Sequence, residues 1–366
     1  MFSVNNKISI RQFQILLLLD IFGIGFLIIP RISAEFLAHE GFIAVLIATI
    51  MAIICAFIMA SLLNMFPNKS FYEYSSIIIT KPIALILTIG LFLAIILHIS
   101  FELMVFSQIV KEVMLYKTPL WAISIMILLV SSYAAIAGIE LRARLSELLV
   151  FIVLIPLIIV FTKAAFDIDF KNVMPLIANK GENYIKGGFA ALSIFVGIYT
   201  ILLSYPYLNN KKSAKKAAIS IITLSGIFMA LITLITISYF GPVGVTKHAW
   251  PTLEMINVTT LPGSIIERQE ALMMSFFVVS IFAIINSGLF FSSVILKTVV
   301  KKGKHKYYVL TSMIIVFVIS LVFNNAQQIY DVREFLFSGF AIFYMVIIPI
   351  LLLIISKLRK LGDIHA

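Results

Sequence analysis

The sequence predicts an all-α integral membrane protein with ten transmembrane helices. Of its 366 residues, 61% are hydrophobic and only 12% are charged, about half of the roughly 25% charged residues that soluble proteins carry. Apolar runs of about 20 residues, the length that a helix needs to cross a bilayer, recur along the whole chain. The Lys and Arg residues concentrate in alternate connections between these runs, as in multispan membrane proteins.

Ten apolar runs are long enough to be spans. We predict them at residues 12–36, 42–66, 83–110, 120–137, 145–162, 187–208, 217–240, 271–296, 307–323 and 335–356. The first run follows a basic N-terminus, but it is too long for a signal peptide and continues into multispan sequence, so we interpret it as a retained span. The polar connections are too short to be independent domains. Residues 1–366 are therefore predicted to form a single transmembrane domain.

The basic residues predict the orientation. Ten spans place both termini on one side, and that side holds 18 of the 28 Lys and Arg residues, against 10 on the other. Cytoplasmic loops carry the basic excess, so both termini are predicted to be cytoplasmic. The clusters at 211–216 and 297–306 could also contact anionic lipid head groups, although topology alone accounts for them.

Composition excludes several function classes. The basic excess of 28 over 17 acidic residues would suggest nucleic acid in a soluble protein, but here it follows the loops, so no nucleic-acid partner is expected. The single Cys55 excludes an intramolecular disulfide and a cysteine metal cluster, and the five histidines lack ligand spacing. Neither a nucleophile elbow nor a phosphate loop is present. We therefore expect no enzyme, no cofactor and no metal.

The first span contains Gly23 and Gly25, which are poor residues for a helix interior and tolerate unusual backbone angles. Counting about 1.5 Å per residue places them roughly 16–20 Å deep, near the midplane. A helix broken there would direct free N–H groups of a half-helix into a cavity and could bind a carboxylate. The alternative is close helix packing, for which small residues also serve.

Two further features reach the same depth. Gly197, within the run from Phe195 through Val196 to Tyr199, lies about 15 Å into the sixth span and marks a second possible break. Glu102 lies about 14 Å below Lys111, at the outer end of the third span. Gly197 and Glu102 are thus counted from the outer face, and Gly23 and Gly25 from the cytoplasmic face. The sequence therefore predicts a pocket between the first, third and sixth spans.

The intramembrane polar residues leave alternatives open. Buried carboxylates are costly and usually face a bundle interior or an aqueous path. Glu102 could hold a ligand ammonium, relay a proton, or satisfy neighbouring backbone; Asp20 could serve a proton path or only steady the break. In the eighth span, Asn286, Ser287, Ser292 and Ser293 could line an ion site, or simply bridge helices. Asn286 and Ser287 are the two that we assign to a possible ion or proton path.

Several short motifs recur along the chain in a characteristic order and spacing. They are the Gly23-x-Gly25 with Pro30, the run 67–74 after the second span, the run 138–147 with Glu140, Arg142 and Arg144, then Asn172 with Pro175, Tyr205-Pro206, Trp250-Pro251-Thr252-Leu253-Glu254, and Glu267-Arg268-Gln269-Glu270. In this order and spacing the chain resembles the spore germinant receptor B-subunit family of the amino acid–polyamine–organocation transporter superfamily.

The resemblance implies two inverted five-helix repeats, about 10–165 and 185–356, with discontinuous first and sixth helices and a short cytoplasmic tail. It implies a B subunit in the inner membrane of a bacterial endospore, acting with A and C subunits to sense a small nutrient, such as an amino acid. The ligand seat would be Gly23, Ile24 and Gly25 with residues 195–199. A cation-coupled amino-acid permease would share the fold and remains the alternative.

Overall fold

The architecture was obtained as a computed structural model that describes residues 6–166, 168, 170–174, 181–259, 269–322, 339 and 342–362. These residues are almost entirely helical, and the strand-like contact among them is a single bridge between Ile8 and Leu208. The predicted all-α class is confirmed.

The first predicted span consists of two helices. Helix α1, Ile10–Ile21, begins with a capping box in which Ser9 accepts from the Gln12 N–H and the Gln12 side chain accepts from the Ser9 N–H. Helix α2, Gly25–Leu37, continues the span after a non-helical interruption at residues 22–24. The predicted break in the first span is confirmed.

Five helices complete the first half of the chain. After a short 3₁₀ turn at Ala38–Glu40, they are α3 Gly41–Met65, α4 Phe71–Ile78, α5 Lys81–Val113, α6 Leu120–Ile136 and α7 Ile139–Ala164. The short α4 belongs to the predicted polar connection, and its capping box of Ser70 and Glu73 fixes where it begins.

The sixth predicted span changes its helical type instead of unwinding fully. Helix α8, Gly181–Ala191, tightens into an eight-residue 3₁₀ segment, Leu192–Tyr199, before α9, Thr200–Ser204. Runs of 3₁₀ helix longer than three or four residues are uncommon and often mark a strained or functional stretch. The discontinuity predicted around Gly197 is therefore present as this 3₁₀ segment.

The remaining helices match the later predicted spans, except for the helix Pro251–Val258, which lies in the predicted connection between the seventh and eighth spans. They are α10 Ala214–Lys247, which bends at Gly241 (φ +71°), α11 Pro251–Val258, α12 Gln269–Val300, α13 His305–Ser320 and, after a π-helical turn at Phe343–Ile347, α14 Ile348–Leu358. Several predicted features lie outside the described residues, namely Pro175, Glu267, Arg268, the end of the ninth span and the start of the tenth.

Within the part of the chain that the structure describes, six helical segments are long and apolar enough to cross a membrane. They are Gly25–Met65, Lys81–Val113, Ile139–Ala164, Gly181–Tyr207, Ala214–Lys247 and Met274–Val300, and shorter apolar helices span Leu120–Ile136, His305–Ser320 and Phe343–Leu358. The protein is therefore an integral membrane protein, and every predicted span overlaps a described helix. The count of ten membrane crossings stays a prediction.

Packing encloses the break in the first span. Helix α1 contacts α7, α10, α12 and the 3₁₀ segment Leu192–Tyr199, while α5 packs along α12. On the outward side of α3, Ile50, Ile54 and Phe57 are exposed at helical spacing, which is the pattern of a lipid-facing stripe. The interruption at residues 22–24 thus lies inside the bundle, against α5 and the 3₁₀ segment.

Candidate functional site

The break in the first span is capped by a carboxylate from the third. The backbone N–H of Ile24 donates a 3.0 Å hydrogen bond to Oε2 of Glu102 on α5. Ile24 offers no side-chain cap for α2, so Glu102 supplies the missing acceptor at the positive end of the helix dipole. Of the roles considered for Glu102, satisfaction of neighbouring backbone is visible directly. The Ile24 N–H that was expected to be free is therefore engaged in this conformation.

The glycines at the breaks provide space, not unusual backbone angles. A Cβ on Gly23 would lie 2.7 Å from Oε2 of Glu102, and one on Gly197 would lie 2.2 Å from the backbone oxygen of Asp20. Gly23 and Gly25 do not use the freedom of backbone angle that glycine allows, because the described glycines with positive φ are Gly138, Gly241, Gly303 and Gly362. Close approach of backbone and side chains explains these glycines.

A small cavity lies at the break. Its volume is about 20 Å³, enough for about one water molecule. It is lined by Asp20, Ile21, Gly23, Ile24, Gly25, Ile28, His98, Phe101, Glu102, Ser193, Ile194, Val196 and Gly197. The structure therefore brings together most of the predicted ligand seat, in a closed form that a nutrient could occupy only if the walls separate.

Two predicted ligand residues lie behind the cavity wall. Phe195 and Tyr199 are buried but are not among the lining residues. The Tyr199 hydroxyl lies 3.4 Å from Nδ1 of His98, and the two rings meet edge to face at 5.8 Å. Nε2 of His98 lies 3.6 Å from Oε1 of Glu102. Tyr199 therefore contacts His98, which lines the cavity, and does not line the cavity itself.

Asp20 pairs with an arginine. Nη2 of Arg142 on α7 donates to both Asp20 carboxylate oxygens, at 3.2 and 3.0 Å, and also to Oγ of Ser287 on α12. The Ser287 hydroxyl donates to Oδ2 of Asp20 at 2.8 Å. The Arg142 guanidinium also stacks 5.0 Å from the ring of Phe291. Helices α1, α7 and α12 are thus joined by one buried charge cluster, which accounts for the intramembrane Asp20.

Arg142 corrects the charge count used for orientation. It was counted among the basic residues of the cytoplasmic connections, but its side chain is only 4% exposed and lies inside the bundle. The remaining loop residues still favour the same side, 17 against 10 after subtracting Arg142 from 18. The orientation prediction keeps its direction.

The predicted ion path is only partly assembled. Ser287 joins the Asp20 cluster, whereas the side-chain oxygen of Asn286 is buried without a hydrogen-bond partner among the described residues. Ser292 and Ser293 donate to carbonyls of their own helix. Within the described part of the chain, no group of three or more His, Cys, Asp or Glu side chains could hold a metal ion.

Sequence reasoning missed His98 and Arg142. His98 precedes Glu102 by four residues, which places both on one helix face, and this spacing was a usable signal. Arg142 directly precedes an apolar run, so sequence alone favoured a loop charge. The signal for a buried ion pair was a combination of two features. Asp20 has no basic residue beside it in its own span, and Arg142 lies close to the start of another predicted span.

Comparisons with known proteins agree with this architecture. A family model described as spore germination protein matches residues 7–329. Spore germination protein YndE of Bacillus subtilis (strain 168) is 26% identical over 364 residues, which cover 99% of this chain and 100% of the relative. Spore germination protein GerLB of Bacillus cereus is 24% identical over 360 residues, or 97% of this chain and 96% of that protein.

A solved structure has the same fold. The crystal structure of MhsT in complex with L-phenylalanine is similar with a TM-score of 0.69 at 14% identity, covering 95% of this chain and 88% of MhsT. At this identity the likeness bears on the fold alone. It supports two inverted five-helix repeats with discontinuous first and sixth helices.

Proposed function

The chain belongs to the spore germination protein family, and on that basis we propose that it is the membrane-embedded B subunit of a nutrient germinant receptor. Binding of a small nutrient would trigger germination of a bacterial spore. The observation that carries the proposal is the cavity at the break of the first span, closed by Glu102. The family match extends across the helices that build this cavity.

We propose an α-amino acid as the nutrient. Its carboxylate would replace Oε2 of Glu102 as acceptor of the Ile24 N–H, and its ammonium would pair with the displaced Glu102 carboxylate. A zwitterion adds no net charge to a buried site, so this exchange avoids the cost of burying an unpaired charge. MhsT has been crystallised with L-phenylalanine, which supports an amino acid as ligand on this fold.

The walls suggest a small apolar side chain. Ile28, Ile194 and Val196 line the cavity and are buried, so a ligand side chain would be surrounded by aliphatic groups. Phe195 and Tyr199 support this wall from behind. Because the cavity is so small, binding requires α2 and the 3₁₀ segment to move apart, and this movement would be the signal that leaves the pocket.

The cellular setting is part of the proposal. A B subunit would act with A and C subunits in the spore inner membrane, with both termini in the cytoplasm and its apolar surface in contact with lipid. The family match and the apolar spans support this setting. We propose no catalytic role.

A cation-coupled amino-acid permease is the second candidate function. The similarity to MhsT favours it, because a transporter fold can carry a solute as well as sense one. The two functions differ in one measurable property, which is net movement of the solute across the membrane by this chain alone.

Two assays decide between the candidates. The first expresses the chain with its A and C subunits in spores without other receptors and follows loss of refractility across a panel of amino acids. The second places the purified chain in liposomes with labelled amino acids. The proposal expects germination with at least one amino acid and no accumulation in liposomes. Accumulation would favour the permease, and spores indifferent to every nutrient would contradict the receptor.

A further inference from the structure

Oxygen atoms suited to a hard cation surround the guanidinium of Arg142. The Asp20 carboxylate and the Ser287 hydroxyl both lie within hydrogen-bond distance of Nη2. Carboxylate, hydroxyl and amide oxygens are the ligands that hard cations prefer. Helices α1 and α12 thus present oxygen atoms of the kind that bind a cation. The positive charge between them is the guanidinium of Arg142 on α7.

The contacts of Arg142 resemble those of a point charge. A guanidinium usually binds a carboxylate as a fork through two nitrogens. Within the described residues, Nη2 makes every hydrogen bond of the Arg142 side chain. Nη1 is buried and has no partner within the described part of the chain. An arginine retained for fork geometry would use both nitrogens. The arrangement instead places one positive centre against the Asp20 carboxylate.

The charge of Arg142 is permanent and tethered. Arginine stays protonated in proteins, so this group cannot pass a proton along a path through Asp20. It is anchored to α7, so it cannot leave and enter with a solute as a free ion would. An ion path and a proton path were both considered for Asp20, Asn286 and Ser287. Arg142 blocks both, because it neutralises the Asp20 carboxylate and neither leaves the site nor releases a proton.

We propose that Arg142 is a tethered cation in the place of a free one, so that this chain senses its ligand without a coupled ion or proton. The cluster holds α1, α7 and α12 together whichever cations are present in solution and at whatever concentration. A receptor built this way reports nutrient concentration independently of an ion gradient. This inference concerns the Asp20 cluster and does not depend on which nutrient binds.

The test measures thermal stability of the purified full chain without nutrient. Unfolding temperatures are compared in chloride salts of Na⁺, Li⁺, K⁺ and N-methylglucamine at equal ionic strength. The wild type and Arg142→Lys should unfold at the same temperature in all four salts. In Arg142→Ala and Arg142→Gln, the unpaired Asp20 should recruit a small cation, raising the unfolding temperature by at least about 3 °C in one alkali salt over N-methylglucamine.

A control on the same helix isolates the buried charge. Arg144 is half-exposed and lies 3.8 Å from Glu140, so Arg144→Ala should behave as the wild type in every salt. A wild type stabilised by an alkali cation would overturn the proposal, as would folded Arg142→Ala and Arg142→Gln that respond to none. If Arg142→Ala does not fold, Arg142→Gln decides, since it retains more side-chain volume.

Two other outcomes would also overturn the proposal. Among the described residues, the other titratable groups near Asp20 are His98 and Glu102 on α5 and Tyr199 on the 3₁₀ segment. Stabilisation of Arg142→Gln by lower pH, without any response to alkali cations, would mean that a proton, and not a metal cation, replaces the lost charge beside Asp20. Failure of both variants to fold in every salt would mean that a free cation cannot take the place of the guanidinium.

Discussion

Oε2 of Glu102 lies against the backbone of Gly23, so close that a Cβ on that glycine would approach it to 2.7 Å. The same oxygen accepts the N–H of the next residue, Ile24, at 3.0 Å. A carboxylate from the third span thus fits a notch that only glycine leaves open. The notch and its occupant together keep the break in the first span capped.

The first prediction concerns the charge of that cap. Glu102→Gln keeps an oxygen that can accept from Ile24 but removes the charge that would pair with a nutrient ammonium. A hydrogen bond to a charged group is worth roughly 1.5–3 kcal/mol, so the nutrient concentration for half-maximal germination should rise about tenfold or more. Protein abundance, measured by immunoblot of spore membranes, should stay near normal.

Glu112→Gln is the matched control for this prediction. Glu112 lies on the same helix, near its end, and is exposed, so its substitution should leave the dose–response unchanged. If the abundance of Glu102→Gln falls in step with its response, the carboxylate is structural only. An unchanged dose–response would mean that the nutrient does not meet Glu102.

A second prediction concerns contact between the two breaks. Gly197→Ala would place its Cβ 2.2 Å from the backbone oxygen of Asp20, and backbone atoms cannot yield as a flexible side chain can. We expect this overpacking to lower the free energy of unfolding by about 1–3 kcal/mol. The loss would be measured as a lower unfolding temperature. Gly181→Ala is the control, because nothing lies within 4 Å of its added Cβ. Equal stability of the two variants would contradict the close approach.

Sequence reasoning recovered the parts of the fold that follow from hydropathy and helix geometry. The spans, the break at Gly23 and the shared depth of Glu102 and Gly197 follow from counting residues along helices of known rise. The contacts between helices at this depth depend on the rotation and tilt of each helix. Rotation and tilt are set by the packing of side chains between neighbouring helices. The pairing of Arg142 with Asp20 and the capping of Ile24 by Glu102 are contacts of this kind.

The reason for the glycines was also beyond the sequence. Gly23 and Gly197 could serve backbone angle, helix packing or ligand approach, and the residue type is the same in each case. Only the position of neighbouring atoms, such as the Asp20 backbone oxygen beside Gly197, separates these roles. Distances between spans are not encoded in any local pattern.

The third prediction concerns topology. Cys55 is the sole cysteine and is buried, so single cysteines can be introduced with little background. Lys247→Cys should react with an impermeant maleimide added outside intact cells, whereas Lys302→Cys should react only after the membrane is opened. Both positions are exposed, so accessibility of the side chain itself is matched. The reverse labelling pattern would overturn cytoplasmic termini.

The fourth prediction concerns the connection from Tyr199 to Glu102 through His98. Tyr199→Phe removes the hydroxyl that lies 3.4 Å from His98 and retains the ring. We expect a several-fold higher half-maximal nutrient concentration, and a smaller further effect when Glu102→Gln is already present, because linked groups show non-additive losses. Fully additive effects in this double-mutant cycle of dose–responses would mean that Tyr199 and Glu102 act separately.

The last prediction concerns Gly25, the first residue of α2 and the predicted ligand seat. A Cβ there would lie 3.3 Å from Cγ2 of Ile194, so Gly25→Ala requires a shift of only a few tenths of an ångström and should fold with a raised half-maximal nutrient concentration. Gly25→Val adds two methyl groups beside a cavity of about 20 Å³. It should abolish the germination response by blocking the seat.

Changes that keep Gly25 should alter preference instead of abolishing the response. Val196→Ala widens the cavity at an apolar wall, so amino acids with larger side chains should become better germinants relative to small ones. Conservative changes at Ile24 should also shift the nutrient preference. Gly181→Val, with nothing within 4 Å of its Cβ, controls for a β-branched residue early in a helix. A normal dose–response from a stably expressed Gly25→Val would refute nutrient binding at this break, because no ligand could share that space with the added methyl groups.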